Sequence, residues 1–355
     1  MKKINLLDLF SGIGGFHLGL EKAGFKVNSF NSEIDKYANQ VYKYNFKNSN
    51  YVGSVTDVRG EQLPRINAIT FGSPCQDFSL AGKRKGMGGE RSSLILEAIR
   101  LIKECRPDFF IWENVKGAFS SNNRQDFAAI LQAFTNIGGY TLEWQLLNTK
   151  WFLPQNRERI YLVGYIGNKR RGQVFPITES LRQYNDVAKT RETSACITTK
   201  YNKGLNYHNQ LIASSRGRNP NNLSDRTPGT YLQQKLEINK EKISNTLTSV
   251  QKDNYVVKIG DYRNDEGYRE RKDGDAPCLS ARRHSESDIS TMPAIIDKIR
   301  RLTPKECERL QGFPDNWTKY GTEGIISDSQ RYKMCGNAVT VDVVAAVANN
   351  IKKLF

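Results

Sequence analysis

Histidine is nearly absent: His17, His208 and His284 are the three in 355 residues, with no ligand or triad spacing among them. Catalysis built on an imidazole base therefore has little to work with. Cysteine is sparse as well. Cys75, Cys105, Cys196, Cys278, Cys307 and Cys335 include no Cys-x-x-Cys pair, which disfavours a structural zinc site and a disulfide framework, so no metal is expected. Long apolar runs are missing too. Even the C-terminal VTVDVVAAVA is interrupted by Asp342, short of the ~20 residues that span a bilayer. The opening MKKINLLDLF lacks a small-residue cleavage site and reads as a first strand, not a signal peptide. A cytoplasmic protein is the expectation. Acidic residues are in deficit: 53 Lys and Arg face 37 Asp and Glu, a net charge of +16. Such a balance favours a polyanionic partner such as nucleic acid.

What is present is an ordinary globular composition, 38% hydrophobic and 25% charged, long enough for about two domains. Short apolar runs at 4–10, 27–32, 67–73, 108–114, 142–148 and 159–166 are strand candidates. Between them, Leu94, Ile95, Ala98, Leu101, Ile102 and Cys105 fall on one helical face, as do Phe127, Ile130, Leu131 and Phe134. Strand and helix in alternation predict an α/β, Rossmann-like, doubly wound and mostly parallel sheet, with functional loops at the carboxyl ends of its strands. The alternation stops near residue 170. Beyond it the chain is rich in Asn, Arg, Lys, Gly and Ser, and residues 189–242 carry ten basic against four acidic side chains with tyrosines interleaved. A smaller, irregular, β-rich second domain is predicted there, with SACITTK (194–200), SNTLTSV (244–250) and APCLSAR (276–282) as short strands. The expected domains are 1–170, completed by 331–355, for the first and 171–300 for the second, with 301–330 returning to the first. Residues 339–355 form a closing helix packed on the first domain.

Two strand ends carry chemistry. Phe10-Ser11-Gly12-Ile13-Gly14-Gly15 comes after the first strand, and glycines there let backbone approach a ligand. His17 stands where a dinucleotide fingerprint needs a third small residue, and no phosphate-binding Lys is present. Glu33 nonetheless sits about 20 residues on, where an acid accepts hydrogen bonds from ribose hydroxyls. A nucleoside ligand without a pyrophosphate satisfies both. Gly72-Ser73-Pro74-Cys75-Gln76 ends the third buried strand and places a thiol where a nucleophile belongs. Such a thiol, with pKa about 8.5, needs either a supporting charge or simultaneous activation of the substrate. Candidates are Glu113 at the next strand end and Arg157 and Arg159 in QNRER. Cys75 taken alone reads as a packing cysteine, like Cys105; the constellation reverses that.

The ordered motifs DLFSGIGGF (8–16), NSE (31–33), TDV (56–58), GSPCQDFSLAG (72–82), ENV (113–115), QNRER (155–159), RLTPKECERLQGFP (301–314) and QRYKMCGNAV (330–339) together resemble the bacterial and phage DNA cytosine-5 methyltransferases. They run from end to end apart from roughly 170–300, where that family keeps its target-recognition domain. The resemblance implies transfer of a methyl group from S-adenosylmethionine to carbon 5 of a cytosine flipped out of double-stranded DNA, through a covalent adduct with Cys75. It implies that Phe10 packs on the adenine, Glu33 binds the ribose and Asp57 meets the exocyclic amine. Gly12, Gly14 and Asn337 would border the methionine end, and Ile13, Gly15, Ile34, Val58, Pro74, Leu94 and Ala338 would complete the cofactor site. Ile34 departs from relatives that carry an aromatic residue, and Ser54-Val55-Thr56 replaces the usual glycine before Asp57.

The chemistry fits these residue types. Carbon 5 of cytosine is a poor nucleophile until a thiolate adds to carbon 6 and converts the ring to an enamine, the part given to Cys75. A carboxyl near ring nitrogen 3 offsets the accumulating charge by donating a proton, which suits Glu113. Arg159 can hold the base's carbonyl oxygen, with Arg157 bracing the site. A paired base is out of reach, so the enzyme must flip it at a cost of a few kcal/mol. Gln76, Ser79, Lys83, Arg84, Lys85 and Arg91, in a glycine-rich segment expected to be a mobile loop over 76–91, are the expected DNA contacts. The family's Thr-Leu recognition element has two candidates, Thr246-Leu247 by identity and Cys278-Leu279 by position. A tRNA cytosine methyltransferase of the same fold is the alternative, but its usual Pro-Pro-Cys and Cys-Phe-Thr elements are missing here. A non-catalytic DNA-binding relative is disfavoured by retention of Cys75, Glu113 and both arginines. A monomer is expected; the recognised sequence, and whether a restriction endonuclease accompanies the chain, are not legible.

Overall fold

Apolar side chains on both faces of a strand demand cover on both sides, and β1 (Lys2–Leu9) shows why. Its Ile4 and Leu6 enter one core cluster while Leu7 and Leu9 enter another, the period-two alternation of a strand inside a sandwich. The computed structural model describes residues 2–73, 93–120, 125–166, 172–178, 210–219, 233–238, 244–247, 255–263, 267–270, 293–295 and 300–355. β1 is central to a seven-stranded sheet with β2 (Phe25–Ser32), β3 (Asn50–Tyr51), β4 (Ala68–Phe71), β5 (Phe109–Val115), β6 (Thr141–Asn148) and β8 (Glu158–Tyr165). The order is β3-β2-β1-β4-β5-β8-β6. The chain winds outward from β1 to β3, then returns to β4 on the other side. That switch between β1 and β4 opens a crevice over the strands' carboxyl ends. All six apolar runs of the sequence lie on these strands.

The four pairings from β3 to β5 are parallel, but β8 runs antiparallel to both β5 and β6. Its amino end therefore lies beside the carboxyl end of β5, with Arg159 opposite Val115. The short β7 (Gln155–Asn156) precedes it.

One face of the sheet is covered by α1 (Gly15–Lys22), with the later closing helix, and the other by α3 (Ser93–Cys105) and α5 (Gln125–Thr135). Both helical faces read from the sequence contribute to the second cluster. Between these come α2 (Lys36–Asn45), whose N-cap Asp35 accepts from the Tyr37 and Ala38 N–H groups, and the single turn α4 (Gly117–Ser120). α6 (Pro304–Leu310), α7 (Asp328–Asn337) and α8 (Val341–Lys352) end the chain. α8 packs closely on α1, where a Cβ on Gly19 would lie 2.5 Å from Val344. Contrary to the expectation that no stretch is apolar enough to span a membrane, Asp328–Lys352 has that length and composition. It is two helices broken at 338–340 and mostly buried, so its apolarity serves the core.

A second sheet contains β9 (Gln210–Arg218), β10 (Gln233–Ile238), β12 (Tyr255–Arg263), β13 (Gly267–Glu270), β14 (Pro293–Ile295) and β15 (Arg300–Arg301), all paired antiparallel. Of the three expected short strands, only the start of 244–250 is described: β11 (Ser244–Asn245) pairs not with this sheet but with β7. The other two lie outside the described residues.

Gly164 on β8 faces Phe110 on β5, and a Cβ there would sit 2.2 Å from the Phe110 ring. Gly164→Ala should therefore destabilise the protein by about 1–3 kcal/mol through overpacking. Urea denaturation checks this; an unchanged midpoint would show that the ring can move aside.

Candidate active site

A cavity of about 440 Å³ lies over the sheet's switch point, lined by Phe10, Gly12 and Ile13 after β1 and by Ser32 to Asp35 after β2. Ser54 and Val55, Gly72 and Ser73, and Glu113 to Val115 continue the wall from the next strand ends. Leu94 comes from α3, while Arg157 and Arg159 arrive from the reversed strand β8. Lys333, Met334, Gly336, Asn337 and Ala338 close the far side. The volume is in the usual range for a small-molecule site.

Phe10 has φ 50°, in the left-handed region that non-glycine residues rarely adopt. The chain turns sharply off β1 there, and Gly12, at φ 53°, continues the turn with open space where a Cβ would be. Glu33 locks the turn from β2: Oε2 accepts the Gly12 N–H at 2.8 Å and Oε1 the Asp35 N–H at 2.8 Å. Burial pushes its carboxyl up, against the pull of these two N–H donors. Ile34 is 82% exposed at the cavity mouth.

Four residues expected at the cofactor do not line this cavity. A Cβ on Gly14 would meet Phe46 at 2.3 Å and one on Gly15 would meet Val339 at 2.6 Å. Both glycines serve close packing behind the loop. Asp57 is exposed, within 3.2 Å of the Thr56 hydroxyl, and Val58 is buried in the core cluster beneath α3. In their place the wall is made by Ser54 and Val55. His17, the departure from the dinucleotide fingerprint, is buried and stacked on Phe46 at 3.7 Å.

At the other end of the cavity Glu113 and Arg159 form an ion pair, Oε1 to Nε 3.1 Å, with Glu113 8% exposed. Glu113 Oε1 is buried and engaged by the Arg159 guanidinium as an ion pair, without the alignment of a hydrogen bond. Beside it, Trp112 Nε1 donates to Ser73 Oγ at 3.1 Å and Asn114 Nδ2 to the Ser73 carbonyl at 3.2 Å. Ser73 is thus pinned in the wall two residues before Cys75. Pro74, Cys75, Gln76, Ser79, Lys83, Arg84, Lys85 and Arg91, and the expected loop 76–91, lie outside the described residues, as does Cys278-Leu279.

Arg157 is 3% exposed. Its Nη1 donates to the carbonyls of Leu247 and Gly336, both at 3.2 Å, and Nη2 to that of Ala338 at 2.8 Å. Burial pulls the guanidinium down to about 10, Arg159 adds to that, and Glu113 opposes it. Both Nη atoms are spent on backbone, so it shapes the wall. Among the wall residues not expected from the sequence are Asn114, and Lys333, whose Nζ pairs with Asp35 at 2.6 Å. Both stand inside motifs already singled out, ENV and QRYKMCGNAV.

The profile of the family described as C-5 cytosine-specific DNA methylase matches residues 4–353. The chain belongs to that family. The type II methyltransferase M.HaeII of Haemophilus aegyptius is 31% identical to it, over 99% of this chain and 93% of that protein. The type II methyltransferase M.Bsp6I of Bacillus sp. (strain RFL6) is 29% identical over 99% of each. The crystal structure of S. pombe Dnmt2 methyltransferase covers 98% of both chains with a TM-score of 0.60 at 17% identity, a likeness of fold. Members of the family take their methyl group from S-adenosylmethionine and act on DNA. A cavity lined by a carboxyl group, Glu33, and by apolar Phe10 and Ile34 fits that cofactor.

Beneath the loop of this methylase lies a second carboxyl group. Asp8, fully buried on β1, accepts from the Thr70 hydroxyl at 2.8 Å and the Tyr42 hydroxyl at 3.4 Å. Burial raises it from its ordinary 3.8 to about 8; the two hydroxyl bonds oppose this and the charge of Glu33 adds to it. A raised acid is protonated more readily folded than unfolded, so its contribution is full below 3.8 and is lost as pH rises toward about 8. Asp8→Asn, which keeps the shape of the protonated acid, should flatten the fall in urea stability between pH 5 and 8. Equal slopes in wild type and variant would show that Asp8 does not titrate there.

Proposed function

We propose that the cavity holds S-adenosylmethionine at its Phe10–Glu33 end and a flipped cytosine at its Glu113–Arg159 end. The observation that carries this reading is that one cavity wall contains both sets, with Ser73 placing the chain two residues short of Cys75. Two residues span about 7 Å at full extension. In this reading the Phe10 ring packs on the adenine, Glu33 accepts from the ribose, and Gly12, Asn337 and Ala338 border the methionine end. Bound there, S-adenosylmethionine supplies the methyl group as an electrophilic carbon.

Cys75 is the nucleophile. Its thiolate adds to carbon 6 of the cytosine, and the ring's double-bond electrons become an enamine whose carbon 5 takes the methyl group. Glu113 donates a proton toward ring nitrogen 3, and the planar fork of Arg159 holds the carbonyl oxygen. A water or hydroxide then takes the carbon 5 proton, which expels the Cys75 thiolate and restores the aromatic ring. Arg157 holds the walls in place and touches no reacting atom. Residues 171–300 form the recognition domain, with Thr246-Leu247 as its recognition element, supported by the docking of that pair against β7 and Arg157. The basic 76–91 segment and the basic second domain contact phosphates, which favours duplex DNA as substrate. Type II relatives suggest one short target sequence.

Methylation of a genomic library followed by bisulfite sequencing should reveal one recognised sequence. On a duplex carrying it, Cys75→Ser should abolish methyl transfer while binding S-adenosylhomocysteine as wild type does, because a serine hydroxyl is far less ionised than a thiol. With 5-fluorocytosine at the target, wild type should be trapped covalently and Cys75→Ser should not. Glu33→Ala should weaken S-adenosylhomocysteine by about 1.5–3 kcal/mol in calorimetry, the scale of a charge-assisted hydrogen bond. Turnover by Cys75→Ser would overturn the assigned nucleophile, and unchanged affinity in Glu33→Ala the assigned cofactor end.

A further inference from the structure

Gln155 is fully buried and takes no part in the proposed chemistry. Its Oε1 accepts the Leu247 N–H at 3.0 Å, and its Nε2 donates to the Leu310 carbonyl at 2.8 Å. One amide thus joins the segment 244–247 to the end of α6. The backbone reinforces the dock: Ser244 and Asn245 pair in parallel with Gln155 and Asn156, Ser244 N–H donates to the Pro154 carbonyl at 2.9 Å, and Thr246 Oγ1 to the Asn156 carbonyl at 2.7 Å.

Two separate links run from this segment to the cofactor wall. The polar one is Arg157, shared between the Leu247 carbonyl and those of Gly336 and Ala338, which flank Asn337. The apolar one is the Leu247 side chain, buried in a cluster with Leu302, Cys307, Leu310 and Cys335, the last adjacent to Gly336. Arg157 Nε is already buried without a partner. Were segment 244–247 to withdraw, the guanidinium would lose one of its three carbonyls and the cluster its plug. A buried charge tolerates this poorly, so the remaining partners, Gly336 and Ala338, would have to shift.

We propose that Gln155 is a positioning residue that couples target recognition to cofactor binding, by holding Leu247 where Arg157 and Cys335 can transmit its position to the 336–338 wall. The coupling rests on the reading of the cavity as the cofactor site and of 171–300 as the recognition domain. DNA that holds the recognition segment docked, and cofactor that needs the wall in place, favour the same arrangement. Each then tightens the other by the same factor. The two arrangements differ in whether the Leu247 carbonyl and side chain are engaged, which gives the coupling a physical switch.

The test measures S-adenosylhomocysteine affinity with and without a duplex carrying the recognised sequence, in wild type, Gln155→Met and Leu247→Ala. Gln155→Met keeps side-chain length and removes both hydrogen bonds; Leu247→Ala attacks the apolar link and covers the case in which the first variant does not fold. Wild type should bind S-adenosylhomocysteine roughly tenfold tighter with the duplex, within the usual span of coupled sites. With the duplex at concentrations that saturate each protein, the factor should fall below about threefold in either variant, while affinity without DNA stays within about twofold of wild type in Gln155→Met. A merely structural role would lower the melting temperature and leave the factor intact, which overturns the proposal. A wild-type factor of one, with binding still sensitive to Glu33→Ala, overturns the coupling alone. Binding indifferent to Glu33→Ala overturns the cavity reading, and the coupling with it.

Discussion

A guanidinium taken almost wholly out of water must be met by acceptors, and the answer to that demand at Arg157 organises the site. Its acceptors are backbone carbonyls 90, 179 and 181 residues away along the chain. It ties three segments together: the residue before β8, the segment before the second sheet's β12, and the link between α7 and α8. The arrangement is costly to break in part, because removing one acceptor strands a charge that several kcal/mol of desolvation already burden. Glu113, close enough to favour the charged form, helps to keep it there.

The sheet supplies the rest by direction. Parallel strands deliver Phe10, Glu33, Ser73 and Glu113 to one edge, since loops at carboxyl ends share a side. A parallel eighth strand would have put its amino end, and with it Arg159, at the opposite edge. Reversal of β8 brings Arg159 to Glu113, so one antiparallel strand adds an ion pair to the edge that carries Phe10 and Glu33. The positive φ of Phe10 and the buried Asp8 beneath it show the same edge under conformational and electrostatic load.

Much of the fold was legible because buried parallel strands are short, continuous apolar runs, and β1, β4 and β5 read as such. The helical faces of α3 and α5 were legible for the same reason, in a different period. α2 was not, because its buried residues are few and its start is fixed by the Asp35 cap rather than by an apolar stripe. The wall of the site was partly readable: Phe10, Gly12, Glu33, Glu113 and Arg159 meet at one cavity, as types and spacing suggested. Gly14 and Gly15 illustrate the limit. A glycine required for ligand approach and one required by a neighbouring Phe46 or Val339 look identical in sequence. Asp57 and Val58 were placed by resemblance, while the turn after β3 presents Ser54 and Val55 to the cavity instead. Nor could spacing alone place Thr246-Leu247, whose hydrogen-bonded partners lie about 90 positions earlier.

The central claim is that one buried guanidinium holds the cavity wall at 336–338 and the segment 244–247 together, and amide hydrogen exchange in Arg157→Lys tests it most directly. Lysine keeps the charge but, as a point donor, cannot span three carbonyls. The account predicts faster exchange confined to 244–247 and 334–340, with β1 and β5 protected as in wild type. Unchanged protection in those two segments, or a uniform loss across the whole sheet, would contradict it.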